Sequence, residues 1–196
     1  FSIWPAALLL FLFAWIENVY AGASRPFSLS ILIVLYSAIT WVGMAIFGKH
    51  QWLRYGEAFT VLFGLFSRFS PTEVRVISKY TCRTCTLGCD LTESECVDCY
   101  QCFERAKPEL RQLNIRPFAV GLTLPQSVST ATALFVLLVL ATVTFDGLQD
   151  TSLWLSVHAR AGDTLPSFFE NKSDIISTGG LIVILFLFSF VYMGFS

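Results

Sequence analysis

Residues 27–47 read FSLSILIVLYSAITWVGMAIF, twenty-one positions without one charged side chain. A helix rises about 1.5 Å per residue, so this run reaches about 30 Å, the thickness of a bilayer's hydrocarbon core. It follows the turn Gly22–Pro26, and three further runs of the same character lie along the chain. One spans about Ile3 to Tyr20. Another, about Ser127 to Phe145, starts just after Pro125, where a proline has no intrahelical bond to lose. The last runs from about Ile175 to the end, behind the cap-forming residues Asn171-Lys172-Ser173-Asp174.

The whole composition agrees with these four runs. Of 196 residues, 55% are hydrophobic and 14% charged, and the mean hydropathy is +0.64. A soluble domain carries about 25% charged residues. The expected fold is an all-α integral membrane protein with about four transmembrane helices. A net charge of -1 without a dominant basic stretch excludes disordered, collagen-like and nucleic-acid-binding classes. The chain opens at Phe1 and stops at Ser196 inside apolar runs, so it reads as an internal piece of a longer polytopic chain. Its expected partners are the lipid bilayer, the remainder of that chain and other membrane subunits, with no nucleic acid.

Between these runs, Ala58 to Phe69 (AFTVLFGLFSRF) is apolar for only about a dozen residues, bracketed by Glu57 and Arg68. That length suits a short re-entrant, broken or interfacial helix better than a full span. Cytoplasmic loops hold the excess of Lys and Arg. A re-entrant segment puts ten basic residues on one side and leaves Arg25, Arg160 and Lys172 on the other. The chain then divides into membrane helices at 1–69, a cytoplasmic Cys-rich loop at 70–124, and membrane helices at 125–196 with an extracytoplasmic loop at 146–174. Ser152 to Arg160, with Trp154, reads as a short interfacial helix in that last loop. The expected location is a bacterial inner membrane.

All six cysteines fall in CRTCTLGCDLTESECVDCYQC, as Cys82, Cys85, Cys89, Cys96, Cys99 and Cys102. None lies in an apolar run. Three disulfides would suit an oxidising compartment, but the charge distribution puts this loop in the reducing cytoplasm. Two C-x2-C knuckles, Cys82 with Cys85 and Cys96 with Cys99, present four thiolates to a tetrahedral zinc ion, leaving Cys89 and Cys102 over. An iron–sulfur cluster is the alternative, because Cys96, Cys99 and Cys102 form C-x2-C-x2-C, without the Cys-Pro pair that completes the ferredoxin run. A thiolate-only site is normally closed, so the metal is expected to be structural.

Polar groups near membrane depth are functional candidates because each is costly there. They are Glu17, Asn18, Glu57, Arg68 and Asp146. Glu57 and Arg68, eleven residues apart, are expected on one helical face. Thr142 shares a face with Asp146. Only two histidines exist, His50 and His158, and no nucleophile elbow, P-loop, zinc-protease or dinucleotide motif occurs. Catalysis within this stretch is not expected.

WLRYGEAFTVLFGLFSRFSP (Trp52 to Pro71), CVDCYQCFERA (Cys96 to Ala106) and ATVTFDG (Ala141 to Gly147) together resemble a family of bacterial polytopic membrane proteins, about a dozen helices long, commonly labelled fenitrothion hydrolase. The resemblance covers most of the chain and implies a membrane-bound organophosphate ester hydrolase. The residues themselves read as a transporter- or channel-like protein with a metal-folded loop. The alternative is a non-catalytic subunit that docks on a larger complex through that loop.

Overall fold

The structure, a computed structural model, describes residues 2–87, 95–123, 129–164 and 171–195, without the side chains of Lys79, Cys82 and Glu95. In chain order the elements are α1 (Trp4–Asn18), α2 (Pro26–Phe47), α3 (Lys49–Tyr55) and α4 (Ala58–Phe66), which runs into a 3-10 turn at Ser67–Phe69. Then come β1 (Thr72–Ile77), α5 (Lys79–Arg83), β2 (Glu95–Val97), α6 (Tyr100–Arg105), β3 (Arg111–Ile115) and a 3-10 turn at Val120–Leu122. Three helices close the chain: α7 (Thr130–Gln149), α8 (Ser152–Thr164) and α9 (Lys172–Phe195). They form two compact units, one of residues 39–127 and one of residues 2–38 with 128–196.

Among the described residues three helices, not four, are long and apolar enough to cross a membrane: α2, α7 and α9. The first apolar run gives only the fifteen residues of α1, about 22 Å of helix. At its last residue, Asn18 Nδ2–H donates to the Ala14 carbonyl at 2.9 Å. α7 starts late, at a Ser129 cap whose hydroxyl accepts from Thr132 N–H, and continues through Asp146 to Gln149. Asp146 is therefore in a helix rather than a loop. The next stretch is largely helical as well, as α8.

In the second unit α7 packs between α1 and α9 over Phe135, Leu138, Phe145 and Leu181, all fully or nearly fully buried. Alanines at 6, 14, 131 and 141 are buried with them, and small residues let helix backbones approach closely. Trp154 of α8 meets Phe145 edge-on at 5.2 Å and lies over Gly180, where a Cβ would come within 2.3 Å of the indole. Trp15 Nε1–H donates to Thr178 Oγ1 at 3.0 Å, tying α1 to α9.

The 39–127 unit corrects the all-α expectation. It holds a three-stranded antiparallel sheet in the order β2-β1-β3. Strand β1 reads TEVRVI, with β-branched residues alternating with charged ones, which is the period of a half-buried strand. Val76 stands opposite Cys96 on β2 and Arg111 on β3, and it is 1% exposed. Val76, Leu87, Cys96, Cys99, Cys102 and Ala106 form the core of the unit, with Tyr55 and Leu110 packed against it.

The end of α2 belongs to this unit too. Gly48, at φ +85°, turns the chain so that α3 folds against the last turns of α2. Trp52 stacks on Phe47 at 5.6 Å and fills the space that Cβ atoms would take at Gly43 and Gly56. Glu57 then caps α4, its carboxylate accepting from the N–H groups of Phe59 and Thr60. Regular helix stops at Phe66, and Arg68 lies in the 3-10 turn that continues it.

Candidate metal centre

The thiols of Cys85, Cys99 and Cys102 converge, with all three sulfurs within 4.8 Å of one another. Cys85 Sγ and Cys99 Sγ are 3.7 Å apart. A disulfide would bring them to about 2.05 Å. Two thiolates bound at about 2.3 Å to one tetrahedral ion stand about 3.8 Å apart, so the separation is compatible with two ligands of one ion.

Local structure delivers each sulfur. Cys85 follows α5, and Leu87 N–H donates to its sulfur at 3.4 Å. Cys99 is the N-cap of α6 and Cys102 lies one turn later, so both sulfurs face the same way. Gln101 between them is 1% exposed. Its Oε1 accepts from Thr86 N–H at 2.9 Å and Thr86 Oγ1–H at 3.0 Å, and lies 3.2 Å from Cys85 Sγ. Gln101 thus locks the turn behind Cys85 to the helix that carries the other two cysteines.

The expected pairing of two knuckles is only partly what the structure brings together. Cys85 and Cys99 meet, and the third partner is Cys102, which the two-knuckle scheme left over. Cys96 is buried on β2 in the same core and stands outside this group of three. The Cys82 side chain and the whole of Cys89 lie outside the described residues.

A buried polar frame that the sequence did not announce holds the second knuckle. Asp98, between Cys96 and Cys99, has φ +50°, a conformation that aspartate tolerates better than most residues. Its N–H donates to the Val74 carbonyl at 2.8 Å, and its Oδ1 accepts from Val74 N–H at 2.9 Å. Its Oδ2 accepts from Arg116 Nη1–H at 3.0 Å. Arg116, 7% exposed, also donates to Glu73 and to the carbonyls of Ser67 and Ser70. Burial alone would push the Glu73 carboxyl up, but hydrogen bonding and charge from Arg75, a bond with Asn114 and the charge of Arg116 hold it below the ordinary glutamate value.

A second polar cluster joins α3 to α6. Glu104 accepts from Lys49 Nζ at 3.0 Å and pairs with His50 Nε2 at 2.8 Å. Gln51 Nε2–H donates to the Thr86 carbonyl at 2.8 Å, directly behind Cys85. Lys49, over the Tyr100 ring at 5.2 Å, is held above its ordinary pKa by Tyr100 and Glu104, and Glu104 is held below its own by Lys49 and His50.

The remaining polar candidates lie elsewhere. Asn18 is half-buried and receives Gln149 Nε2–H at both its backbone carbonyl (3.3 Å) and Oδ1 (3.0 Å). Glu17 and Asp146 are exposed on α1 and α7, Glu57 is the α4 cap, and Arg68 is half-buried in the turn after α4. His158 lies 3.4 Å from Ser173 Oγ in the other unit. Comparison of the chain with protein families, with curated proteins and with solved structures found no match, so its reading rests on its own chemistry.

Proposed function

We propose that this chain is part of an integral membrane protein, transporter- or channel-like in its helices, whose 39–127 unit is folded around one structural zinc ion. The observation that carries the metal is the convergence of three thiols within 4.8 Å of one another. Cysteines that hold an iron–sulfur cluster are spread over different irons, whereas three sulfurs this close suit a single ion. Cys85, Cys99 and Cys102 are three of its ligands, and the fourth comes from Cys82, Cys89 or Cys96. A ring of thiolates leaves no position for water, which favours a folding role over ester hydrolysis, the activity implied by the family resemblance.

The membrane part of the reading is supported by α2 and α9, whose apolar lengths are almost wholly exposed and so call for lipid or further helices around them. The transport part is supported by Asp146, an exposed carboxylate on the spanning-length helix α7 with Thr142 one turn before it.

Elemental analysis of the purified chain, with an optical spectrum and a thiol count, tests the metal. The expected result is about one zinc per chain and no visible absorption. Iron with sulfide would overturn the zinc reading, and disulfides without metal would overturn both the site and the cytoplasmic placement. Copurification of other chains in fixed ratio would favour the docking subunit over the transporter.

A further inference from the structure

Phe63, Phe66 and Phe69 are spaced three apart along α4 and its 3-10 turn, which aligns them in one stripe, and all three are exposed. The stripe does not stop there. The Phe69 ring meets Phe118 at 6.0 Å, Ala119 N–H donates to the Phe69 carbonyl, and Gly121 lies where a Cβ would be 2.6 Å from the Arg68 carbonyl. The two turns are thus pressed into one piece. Phe118 follows the end of β3, where Leu113 and Ile115 share a sheet face. Phe118, Leu113 and Ile115 are 72%, 73% and 89% exposed. Exposed apolar side chains gathered on joined elements in this way suit an interaction surface.

The occupant follows from where the edge is tethered. The same unit begins in the last turns of α2, and Trp52, packed on Gly43 and Phe47, fixes α3 against them. α3 is seven residues long, about 10 Å, and α4 starts three positions after it. α4 therefore lies close to the level at which a spanning α2 leaves the hydrocarbon. With its turn it is about 18 Å at most, too short to cross but of a length to lie in the interface, where apolar faces sink about 5–10 Å. Arg54, over the Tyr55 ring at 5.7 Å, and Arg68 at the end of α4 are the basic and aromatic groups that sit at headgroup depth.

We infer that the metal-binding unit is seated on the bilayer surface through this edge, with acyl chains and headgroups covering Phe63, Phe66, Phe69, Phe118, Ile115 and Leu113. The inference rests on the membrane reading above and specifies which face of the unit meets lipid.

The test uses the full chain in nanodiscs, with a small fluorescent amino acid placed singly at Ile115, Phe118, Val34 in α2 and Tyr80 in α5. Leu113 replaces any edge position whose variant loses its metal. Quenching by brominated phosphatidylcholine is compared with quenching by aqueous iodide. The expected result is loss of fluorescence to brominated lipid at the edge positions comparable to that at Val34, with Tyr80 responding to iodide. Edge probes that respond to iodide, while Val34 responds to lipid, would overturn the seat and leave the membrane reading standing. Edge probes that respond to neither would overturn it in favour of a protein partner. Val34 escaping brominated lipid would remove the membrane reading and the seat together.

Discussion

Arg116 Nη1 lies 3.0 Å from Asp98 Oδ2, a bond that holds the positive-φ turn leading into Cys99 from a residue beyond the end of β3. The same guanidinium is buried and serves Glu73 and two backbone carbonyls. Truncation would strand the buried carbonyls, while Glu73 keeps its bond from Arg75. Arg116→Ala is expected to destabilise the unit by about 1–3 kcal/mol, the usual cost of leaving buried acceptors unsatisfied. Arg116→Lys keeps the charge but loses the fork, and should fall between the two. Thermal release of metal from the full chain, followed with a chelating dye, measures both.

Cys85→Ser, Cys99→Ser and Cys102→Ser should each abolish stoichiometric metal binding, because the three sulfurs share one point. Stripping the metal with a strong chelator should also open the unit, since binding free energy at such a site is folding free energy. Amide exchange across α5, α6 and the sheet is the measurement. Unchanged protection after complete metal loss would show a unit that folds without its ion.

The bridge from α3 to α6 has a defined pH window. Glu104 titrates below its ordinary 4.5, so its contribution is full above that value and is lost as pH falls through the lowered one. Lys49 titrates above 10.5, so its contribution is full below that value and is lost as pH rises through the raised one. Protection of α3 amides should therefore fall on the acid side as Glu104 is neutralised, and on the alkaline side as Lys49 loses its charge. Glu104→Gln should weaken the bridge at neutral pH and remove the acid fall.

Gly43→Ala and Gly56→Ala would place a methyl 2.2 Å and 2.5 Å from the Trp52 indole. Something must shift, and overpacking of this kind costs about 1–3 kcal/mol. The expected signature is a changed Trp52 environment with metal content retained, read by fluorescence in a variant whose other tryptophans are replaced by phenylalanine.

Much of the helical layout was legible in the sequence because an uncharged run of about twenty residues has few other fates. The end of α1 was not, because the apolar run continues through Val19 and Tyr20 beyond the last helical residue, Asn18. The sheet hid in TEVRVI and RQLNI, strands too short and too polar on one face to stand out inside a loop. At the metal site the cysteines were plain, but grouping them by ribbon spacing set Cys102 aside. The spacing Cys99-x2-Cys102 carried the usable signal, since positions three apart on a helix share a face. Gln101 and Arg116 had no such signal. Their partners, Thr86 and Asp98, lie 15 and 18 positions away in sequence, and only the folded chain brings them together.

The three converging thiols also bear on the order of events at the ribosome. Cys85 and Cys99 are fourteen positions apart, with Cys102 three further on, so the loop that must close is short and its entropic cost small. Cys102 precedes the first residue of α7, so all three cysteines are synthesised before that helix. If the trio holds the proposed ion, metal capture can precede completion of the later helices, and a cell starved of that ion would be left with an unfolded segment between them. Exposed apolar strands in that state are a route to aggregation. Metal supply would then control how much finished protein accumulates, through biogenesis rather than through activity.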